Sequence, residues 1–592
     1  MAGHPTSPGA DDSGAARTDD LTAGAMAPPL PPPAPPLPEA APPLPDAAYR
    51  LLYAHGVDAP RPRRVLALLC DGRWWSPNDL VRASGVAHSV VAGLLRGLDE
   101  AGELVAEAGE GRGRVRLARP ADYRGAALDD LADPVAHMVP RHARNAAELA
   151  RAVIEGPESD LDLDHVTATA DTALRRALFL ATRFDLSDRT LLCVGDHDLT
   201  SVALALVCPS ARTEVVDVDE RVLAHIDALA ASLGLSVRTH AADLRLGLPS
   251  TVRGTADVVF TDPPYTPDGV ELFVRRGLEG MADPRKGRVL LAYGASEATP
   301  RLAATTQARL MRMDLLVESM WPDFNRYQAA ESIGAASDLY VLRPLSRTPP
   351  GGTDEVARVY SQGVNAKEAR GGLDAEAALR VTAAAAEDRG GDAGPGEPTL
   401  VGEWPAEVTR GGRVRLSTWM DSPAPAAEYA VVNLTGGWER PAARAALAAT
   451  TGTVYLLVPS SAACARDEAG QRALRAMVEP RFRARFLRGF GRSDLTAVRL
   501  TRRPEGEAGS AADRLLAHVQ ERAHGTLTST LRGGLIEVSA WQGRPVNKRT
   551  ARHAVASAPG WVSGHGLLDL PEHRFAELRG VAEDLLAQIE EA

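Results

Sequence analysis

The stretch TLLCVGDHDLTSVALAL at residues 190–206 joins an apolar segment to a short polar turn and a second apolar segment. Its first five residues are apolar or β-branched, which is typical of a strand buried on both faces of a parallel sheet. The turn is Gly195, Asp196, His197 and Asp198, and the helical pattern begins directly after it. This order predicts the first strand, turn and helix of a doubly wound α/β sheet.

Strands and helices continue to alternate downstream of this stretch. Predicted strands span 190–194, 213–216, 236–239, 256–261, 288–292, 315–320 and 338–342. Predicted helices span 199–207, 220–233, 267–281 and 300–313. The alternation predicts a mostly parallel sheet, and the close spacing of its last two strands predicts the terminal hairpin of a methyltransferase-like Rossmann fold.

The rest of the chain divides by composition and pattern. Between residues 28 and 45, eleven of eighteen residues are proline, which favours extended polyproline structure over a folded unit. Residues 428–502 weakly repeat the pattern of the preceding half-domain but lack its acidic strand ends. The predicted organisation is a disordered tail (1–45), a winged helix (46–120), a connector of polar helices (121–185), a Rossmann catalytic domain (186–345), a flexible linker (346–400), a small α/β domain (401–505) and a mixed C-terminal domain (506–592).

The winged-helix prediction rests on two helices, a turn and two short strands. Ser76 is a good N-cap and Pro77 suits the first helical position, while Gly85 marks the following turn. Residues 87–98 place apolar side chains on one helical face. Arg96 is the only cation in that helix, so packing or dimerisation is favoured over reading DNA.

Charge and cysteine content narrow the classes of function. The 592 residues carry a formal net charge of -11, which disfavours nucleic acid as a partner. The four cysteines form no CxxC pair, so neither a metal site nor a disulfide framework is expected. No apolar run approaches the ~18 residues of a membrane span, and no secretory signal is visible. We therefore expect a reduced cytoplasmic protein with no membrane association.

An acidic residue follows each of the first four predicted strands of the sheet. These strand ends carry Asp196 with Asp198, Asp217 with Asp219, Asp243, and Asp262. In open parallel sheets the ligand lies beyond the carboxyl ends of the strands. Helix capping explains a single acid at such a place, but a set of four in register predicts a shared ligand site.

The positions of these acids indicate a nucleoside. Asp217 and Asp219 lie 22 and 24 residues after Gly195, near the spacing of acids that bind ribose hydroxyls. Asp243 is predicted at the adenine edge. The first turn lacks the phosphate-binding glycines. A ligand carboxylate at this turn would be repelled by Asp196, and the repulsion between two charges ~4 Å apart is about 4 kcal/mol at a dielectric constant of ~20. Decarboxylated S-adenosylmethionine, whose tail is cationic, is therefore favoured over intact S-adenosylmethionine.

The sequence Asp262-Pro263-Pro264-Tyr265 predicts the site of an amine nucleophile. The prolines fix the backbone, so that the Asp262 carboxylate and the Pro263 carbonyl can both accept hydrogen bonds from one amine. Tyr265 can stack on a flat substrate or contact an ammonium. Asn325 either lines the acceptor pocket or makes a hydrogen bond within its own loop.

These motifs together resemble the branched-chain polyamine synthases, the N(4)-bis(aminopropyl)spermidine synthases. The resemblance spans about residues 46–345 and is carried by the following segments: 194–206, 217–221, 243–245, 261–266 and 323–325. It implies a Rossmann domain preceded by a winged-helix-like domain, commonly in a dimer. It also implies transfer of aminopropyl groups from decarboxylated S-adenosylmethionine to spermidine, with release of methylthioadenosine.

The family's acidic motif is Gly-Asp-Asp-Asp, and its middle acid is the proposed base; His197 stands there in this chain. In a second family motif Leu163 replaces a glutamine. The resemblance implies that Asp196 and Asp198 hold the ammonium and the acceptor, and that His197 or Asp198 takes the proton. Two alternatives remain: an S-adenosylmethionine-dependent amino-group methyltransferase acting on nucleic acid, and a non-catalytic polyamine or nucleoside sensor.

Overall fold

The computed structural model describes residues 43–107, 113–127, 133–294, 299–328, 335–349, 359, 372–389, 396–424, 428–504 and 509–591. The predicted proline-rich tail lies outside these residues up to position 42, as do residues 350–358, 360–371 and 390–395 of the predicted linker. Residues 44–592 form one compact unit. Within the described ranges, no helix is long and apolar enough to cross a bilayer.

The N-terminal region contains the two predicted helices and the two predicted strands, with two further helices before them. They are α1 (Asp46–Tyr53), α2 (Pro60–Leu69), α3 (Pro77–Ser84), α4 (His88–Glu100), β1 (Leu104–Ala106) and β2 (Val115–Leu117). The Ser76 side chain accepts a hydrogen bond from the Asp79 backbone N–H and thereby caps α3. Gly85 ends α3 in the left-handed conformation, at φ 72°. β1 and β2 pair antiparallel, but the winged-helix designation stays an interpretation.

The connector contains α5 (Ala143–Glu155) and α6 (Ala170–Arg183). The prediction of polar helices is wrong for α6, which is packed under the large sheet with eight buried residues. One of these buried residues is Arg176, a cation that composition alone assigns to the surface. Its environment belongs to the candidate site.

The predicted Rossmann sheet is confirmed. Its strands are β3 (Thr190–Val194), β4 (Arg212–Asp217), β5 (Val237–Ala241), β6 (Val258–Thr261), β7 (Arg288–Tyr293), β8 (Leu315–Arg326) and β9 (Ala336–Pro344). The helices between them are α7 (Thr200–Val207), α8 (Glu220–Leu233), α9 (Pro267–Gly280) and α10 (Pro300–Arg312). The strand order is β5-β4-β3-β6-β7-β9-β8, with the first five strands parallel and β9 antiparallel to both neighbours.

A second α/β layer follows, and it begins earlier than predicted. The expected linker includes α11 (Ala375–Asp388), whose apolar face packs into a buried cluster with the following strands, so the linker prediction is wrong for this part. The later elements are β10 (Thr399–Val401), β11 (Gly412–Val414), α12 (Leu416–Asp421), β12 (Ala430–Asn433), α13 (Ala442–Leu447), β13 (Thr453–Pro459), α14 (Ala463–Arg466), α15 (Glu468–Val478), β14 (Phe482–Arg488) and β15 (Leu495–Arg502). The sheet order is β11-β10-β12-β13-β15-β14.

The C-terminal region is helical within the described residues, so the prediction of a mixed domain is wrong. Its helices are α16 (Ala511–Glu521), α17 (Leu527–Trp541), α18 (Lys548–Ala556) and α19 (Glu572–Glu591). They share one apolar core. We call the described part of residues 396–591, which includes the second sheet and these helices, the C-terminal module. It packs against the β5 edge of the Rossmann sheet, where His240 donates to the Asp569 carboxylate.

Candidate functional site

The turn after β3 is built on a glycine and a capping acid. Gly195 has φ 72°, and a Cβ there would lie 3.2 Å from the Phe273 ring. The Asp196 carboxylate accepts hydrogen bonds from the backbone N–H groups of Thr200 and Ser201, at 2.8 and 3.0 Å, and so caps α7. Asp196 is 2% exposed, and burial raises its pKa to about 7. The start of α7 thus engages the Asp196 carboxylate, and its contact with a ligand ammonium stays a prediction.

The two acids after β4 have different surroundings. The Asp217 carboxylate accepts from the backbone N–H groups of Asp196 and Asp219, at 3.0 and 2.9 Å, and so ties the first two strand ends together. Burial raises the pKa of Asp217 despite these bonds. Asp219 caps α8 and pairs with the Arg221 guanidinium at 2.6 Å. Burial opposes ionisation of Asp219, but the hydrogen bonds and charge of Arg221 hold its pKa below the usual range.

Arg176 lies at the centre of the acidic strand ends. Its guanidinium contacts the Asp198 carboxylate at 2.8 Å and the Asp262 carboxylate at 2.6 Å. Its Nε donates to Asn325 Oδ1 at 2.8 Å. Burial favours the neutral form of Arg176, but Asp262 and Asp198 outweigh this and raise its pKa. The protein itself therefore supplies a cation where the sequence predicted only acids.

The Asp262 carboxylate is surrounded by donors from the protein. One oxygen accepts from the Tyr265 hydroxyl at 3.1 Å, and the other accepts from Arg176 and from the Tyr327 hydroxyl at 2.8 Å. Burial raises the pKa of Asp262 well above its usual range, even though Arg176 acts in the opposite direction. Burial also opposes ionisation of Asp198, but there the charge of Arg176 dominates and lowers the pKa.

The structure changes the interpretation of two predicted substrate contacts. Asn325 lies in β8 rather than in a loop, is fully buried, and donates to Ser337 Oγ at 3.0 Å. Its side-chain oxygen positions Arg176, and a contact between Asn325 and a substrate stays a prediction. Pro263 is buried beside Asp262, so its carbonyl stays a predicted acceptor for an amine.

His197 stacks on a second histidine. The rings of His165 and His197 are 4.4 Å apart, and His197 Nε2 lies 2.8 Å from the Thr167 hydroxyl. Burial lowers the pKa of both imidazoles, and His165 lowers that of His197 further. The Nδ1 atoms of both rings are buried without a hydrogen-bond partner. Both imidazoles are therefore neutral at pH 7, and the lowered pKa makes each a weaker base than a free histidine.

The acid after β5 is held by a pair that reaches the C-terminal module. Arg245 contacts the Asp243 carboxylate at 2.6 Å, donates to the Gly437 carbonyl at 2.8 Å and stacks 4.1 Å from the Trp438 ring. The acidic turn near residue 160 is also joined to this module, since Asp160 pairs with Arg440 at 2.8 Å. Two edges of the candidate site are thus fixed by residues beyond position 400.

Sequence reasoning missed Arg176, Tyr327 as a donor to Asp262, and His165. Arg176 sits in a helix with an apolar face, and its position in the middle of that face was an available signal. Nothing in the sequence brings His165 next to His197, because 31 positions separate them and the contact depends on the fold. Among the described residues no group of three or more His, Cys, Asp or Glu side chains could hold a metal ion.

Comparison with known proteins supports the resemblance for part of the chain. Residues 146–349 match the family described as the branched-chain polyamine synthase A C-terminal domain. An uncharacterized protein of Methanocaldococcus jannaschii is 30% identical over 238 residues, which are 40% of this chain and 57% of that protein. The N(4)-bis(aminopropyl)spermidine synthase of Thermococcus kodakarensis is 34% identical over 129 residues, which are 22% of this chain and 37% of that enzyme.

The chain thus spans about half of these relatives' length or less. Among solved structures, the branched-chain polyamine synthase of Thermus thermophilus, in complex with N4-aminopropylspermidine and 5'-methylthioadenosine, is 23% identical with a TM-score of 0.38. That comparison covers 52% of this chain and 94% of the other. The predicted resemblance is confirmed for the Rossmann domain and its preceding helices, and the C-terminal module lies outside the family match.

Proposed function

We propose that this protein transfers an aminopropyl group from decarboxylated S-adenosylmethionine to an amine of a polyamine. The observation that carries this proposal is the convergence of acids from four strand ends on one edge of a sheet that matches the polyamine synthase family. A sulfonium donor and a polyamine acceptor are both cationic, and a cluster of carboxylates attracts both. Methylthioadenosine would be the second product.

The donor would lie over the ends of β4 and β5. Asp217 and Asp219 would accept hydrogen bonds from the ribose hydroxyls, and Asp243 would accept from the adenine amine. Asp217 also accepts from the N–H of Asp196, so the ribose site and the first turn would be held in fixed relation. In this arrangement the sulfonium would lie near Asp198.

In the reaction, the acceptor nitrogen attacks the aminopropyl carbon attached to sulfur. The carbon–sulfur bond breaks, its electron pair goes to sulfur, and methylthioadenosine leaves as a neutral thioether. The nitrogen then loses one proton to the protein. Because its pKa is raised, Asp262 is a better proton acceptor near neutral pH than an ordinary aspartate. His197 is the other candidate base because it stands at the position of the family's proposed base, but its lowered pKa makes it the weaker of the two.

Arg176 orients the acceptor side of the site. Its two ion pairs align the Asp198 and Asp262 carboxylates. The hydroxyls of Tyr265 and Tyr327 also donate to the Asp262 carboxylate and restrict its rotation. Holding the groups that meet the nitrogen in place reduces the entropy lost in the transition state.

The variant Asp262→Asn tests this proposal. It keeps the size of the side chain but lacks the charge and basicity, so we expect release of methylthioadenosine to fall by about 100-fold or more. Calorimetric binding of methylthioadenosine should change little. The matched control is Asp257→Asn, at the opposite end of the same strand, where the carboxylate accepts from the Thr190 N–H. Turnover of Asp262→Asn at the wild-type rate would exclude Asp262 as the base.

Methyl transfer from intact S-adenosylmethionine is the second candidate, and one observation favours it. Asp198 is neutralised by Arg176, and the Asp196 carboxylate is turned toward α7, so repulsion of a ligand carboxylate is weaker than the sequence predicted. Calorimetry with intact and decarboxylated S-adenosylmethionine separates the two candidates. We expect the decarboxylated donor to bind at least tenfold more tightly, and a preference for the intact donor would favour methyl transfer.

A further inference from the structure

A cavity of about 590 Å³ lies between the Rossmann sheet and the C-terminal module. Its volume is within the range of small-molecule sites. It opens over the carboxyl ends of β4 and β5, where Val218, Asp219, Ala242 and Asp243 form one wall. In this fold class, that edge of the sheet is where ligands bind.

The opposite wall belongs to the C-terminal module and is mostly apolar. One face of α15 lines it, since Gly470, Ala473, Leu474 and Met477 recur at helical spacing. Further apolar or soft side chains complete this wall: Met420, Pro441, Ala442, Ala443 and Cys464. Alanine leaves space, and methionine adapts its shape and makes favourable contacts with aromatic rings.

Two ion pairs at the rim of the cavity join its two halves. Arg444 pairs with Glu220 at 2.5 Å, and Arg253 pairs with Asp421 at 2.6 Å. Each of these pairs joins the Rossmann domain to the module. The wall is therefore anchored on both sides, and its apolar surface favours a flat ring over a second polyamine.

We propose that the C-terminal module forms the outer wall of the purine pocket, so that residues beyond position 400 select the base of the nucleoside donor. The inference rests on the proposed function for the identity of the donor. Asp219 and Asp243 belong both to the predicted nucleoside site and to the wall of this cavity. The base would lie against the apolar face of α15, and the ribose would reach Asp219.

Filling the cavity from α15 tests the proposal. Ala473→Phe places a ring in the cavity, whereas Ala476→Phe places the same ring on an exposed position of the same helix that does not line it. With methylthioadenosine as the calorimetric probe, we expect Ala473→Phe to weaken binding at least tenfold and Ala476→Phe to leave it within twofold. Ala443→Phe, from α13, fills the cavity from another helix and should act like Ala473→Phe.

The outcomes separate this inference from the proposed function. Wild-type affinity in both Ala473→Phe and Ala443→Phe, or no binding of methylthioadenosine to the wild type, would overturn the pocket inference. A polyamine transfer assay on the wild type decides the proposed function by itself. Binding that depends on Ala473, together with no transfer to any polyamine, would support the pocket and reject aminopropyl transfer. Thermal denaturation of each variant shows whether it is folded.

Discussion

The two sheets of this protein share one strand order but differ in the residues at their strand ends. In the Rossmann sheet β3 is flanked by β4 and β6, and the order continues β7-β9-β8. In the second sheet β10 is flanked by β11 and β12, and the order continues β13-β15-β14. In both sheets the last three strands form the same antiparallel arrangement.

The correspondence extends to the first turn. Gly195 after β3 donates its N–H to the Val216 carbonyl, and Gly402 after β10 donates to the Val414 carbonyl, at 2.9 and 3.0 Å. Both glycines have positive φ, and a Cβ at Gly402 would lie 2.6 Å from the Asn433 carbonyl oxygen. The backbone thus requires glycine in both sheets, whether or not the turn binds a ligand.

The chemistry does not follow this correspondence. Acids lie at the ends of β3, β4 and β6, while the second sheet has a buried asparagine, Asn433, at the end of β12. Asn433 donates to the Glu403 carbonyl and accepts from Thr435, so its polar atoms are used within the module. Fold alone therefore does not predict function here, and the residues at the strand ends do.

Each region also contains a buried arginine, and their partners differ. Arg176 lies on two carboxylates, whereas Arg481 donates to the backbone carbonyls of Leu447, Ala449 and Gln520. Burial without a close carboxylate lowers the pKa of Arg481 to about 10. The largest expected effect follows from this difference.

Replacing Arg176 by methionine removes a cation and leaves two buried carboxylates without it. We expect the free energy of unfolding of Arg176→Met at pH 7.5 to fall by about 3–5 kcal/mol. Arg481→Met leaves only carbonyl groups unpaired, so its loss should be about 1–3 kcal/mol. Urea denaturation of both variants measures the difference. The loss in Arg176→Met should shrink toward pH 5, and equal losses in both variants at both pH values would refute the account.

His240 joins the two regions and predicts a pH dependence. It contacts Glu214 and Asp569 at 2.9 and 2.8 Å, and these partners raise its pKa to about 9 although burial acts in the opposite direction. A raised folded-state pKa means that this stabilisation is complete below the unfolded value of about 6.5 and is lost as pH rises through about 9. Its size is on the order of 3 kcal/mol.

The measurement is urea denaturation of wild type and His240→Gln at pH 6, 7.5 and 9. The variant should have a lower free energy of unfolding than wild type at pH 6, and this difference in free energy should be smaller at pH 9. A gap that stays constant over this range would show that His240 is not charged in the folded protein.

Asn433→Asp introduces an acid into the second sheet without supplying a cation. The new carboxylate could not donate to the Glu403 carbonyl, so we expect the free energy of unfolding to fall by about 2 kcal/mol at pH 7. Its pKa would be raised by burial, so the loss should decrease as pH falls and the carboxyl becomes protonated. Asn547→Asp is the matched control, because Asn547 caps α18 at an exposed position where aspartate caps equally well. A loss that is the same at pH 4 and pH 7 would contradict the prediction.

The sequence predicted the Rossmann fold well because its signals are local. Strand and helix periodicity located all seven strands of that sheet, and β3 spans Thr190–Val194 as predicted. The prediction failed at α11, an alanine-rich helix that resembles a linker because small side chains give a weak periodic pattern.

The candidate site was predicted only in part, for a different reason. The acids were recognisable because each follows a strand, but whether a carboxylate faces a ligand or a backbone N–H depends on side-chain direction. Asp196 illustrates this limit, since its carboxylate caps α7. Arg176 lies outside every motif, and only the packing of α6 brings it to Asp198 and Asp262.

The smallest expected effect distinguishes a capping acid from a binding acid. Asp219 caps α8 and Asp374 caps α11, each by accepting a backbone N–H, at 3.0 and 2.7 Å. Replacing either by alanine should lower stability by about 1 kcal/mol, the usual contribution of an N-cap. Only Asp219 lines the cavity at the strand ends, so only Asp219→Ala should also weaken binding of methylthioadenosine, by tenfold or more. If both variants keep wild-type affinity in calorimetry, Asp219 is a cap like Asp374, and the ribose contact belongs to Asp217 alone.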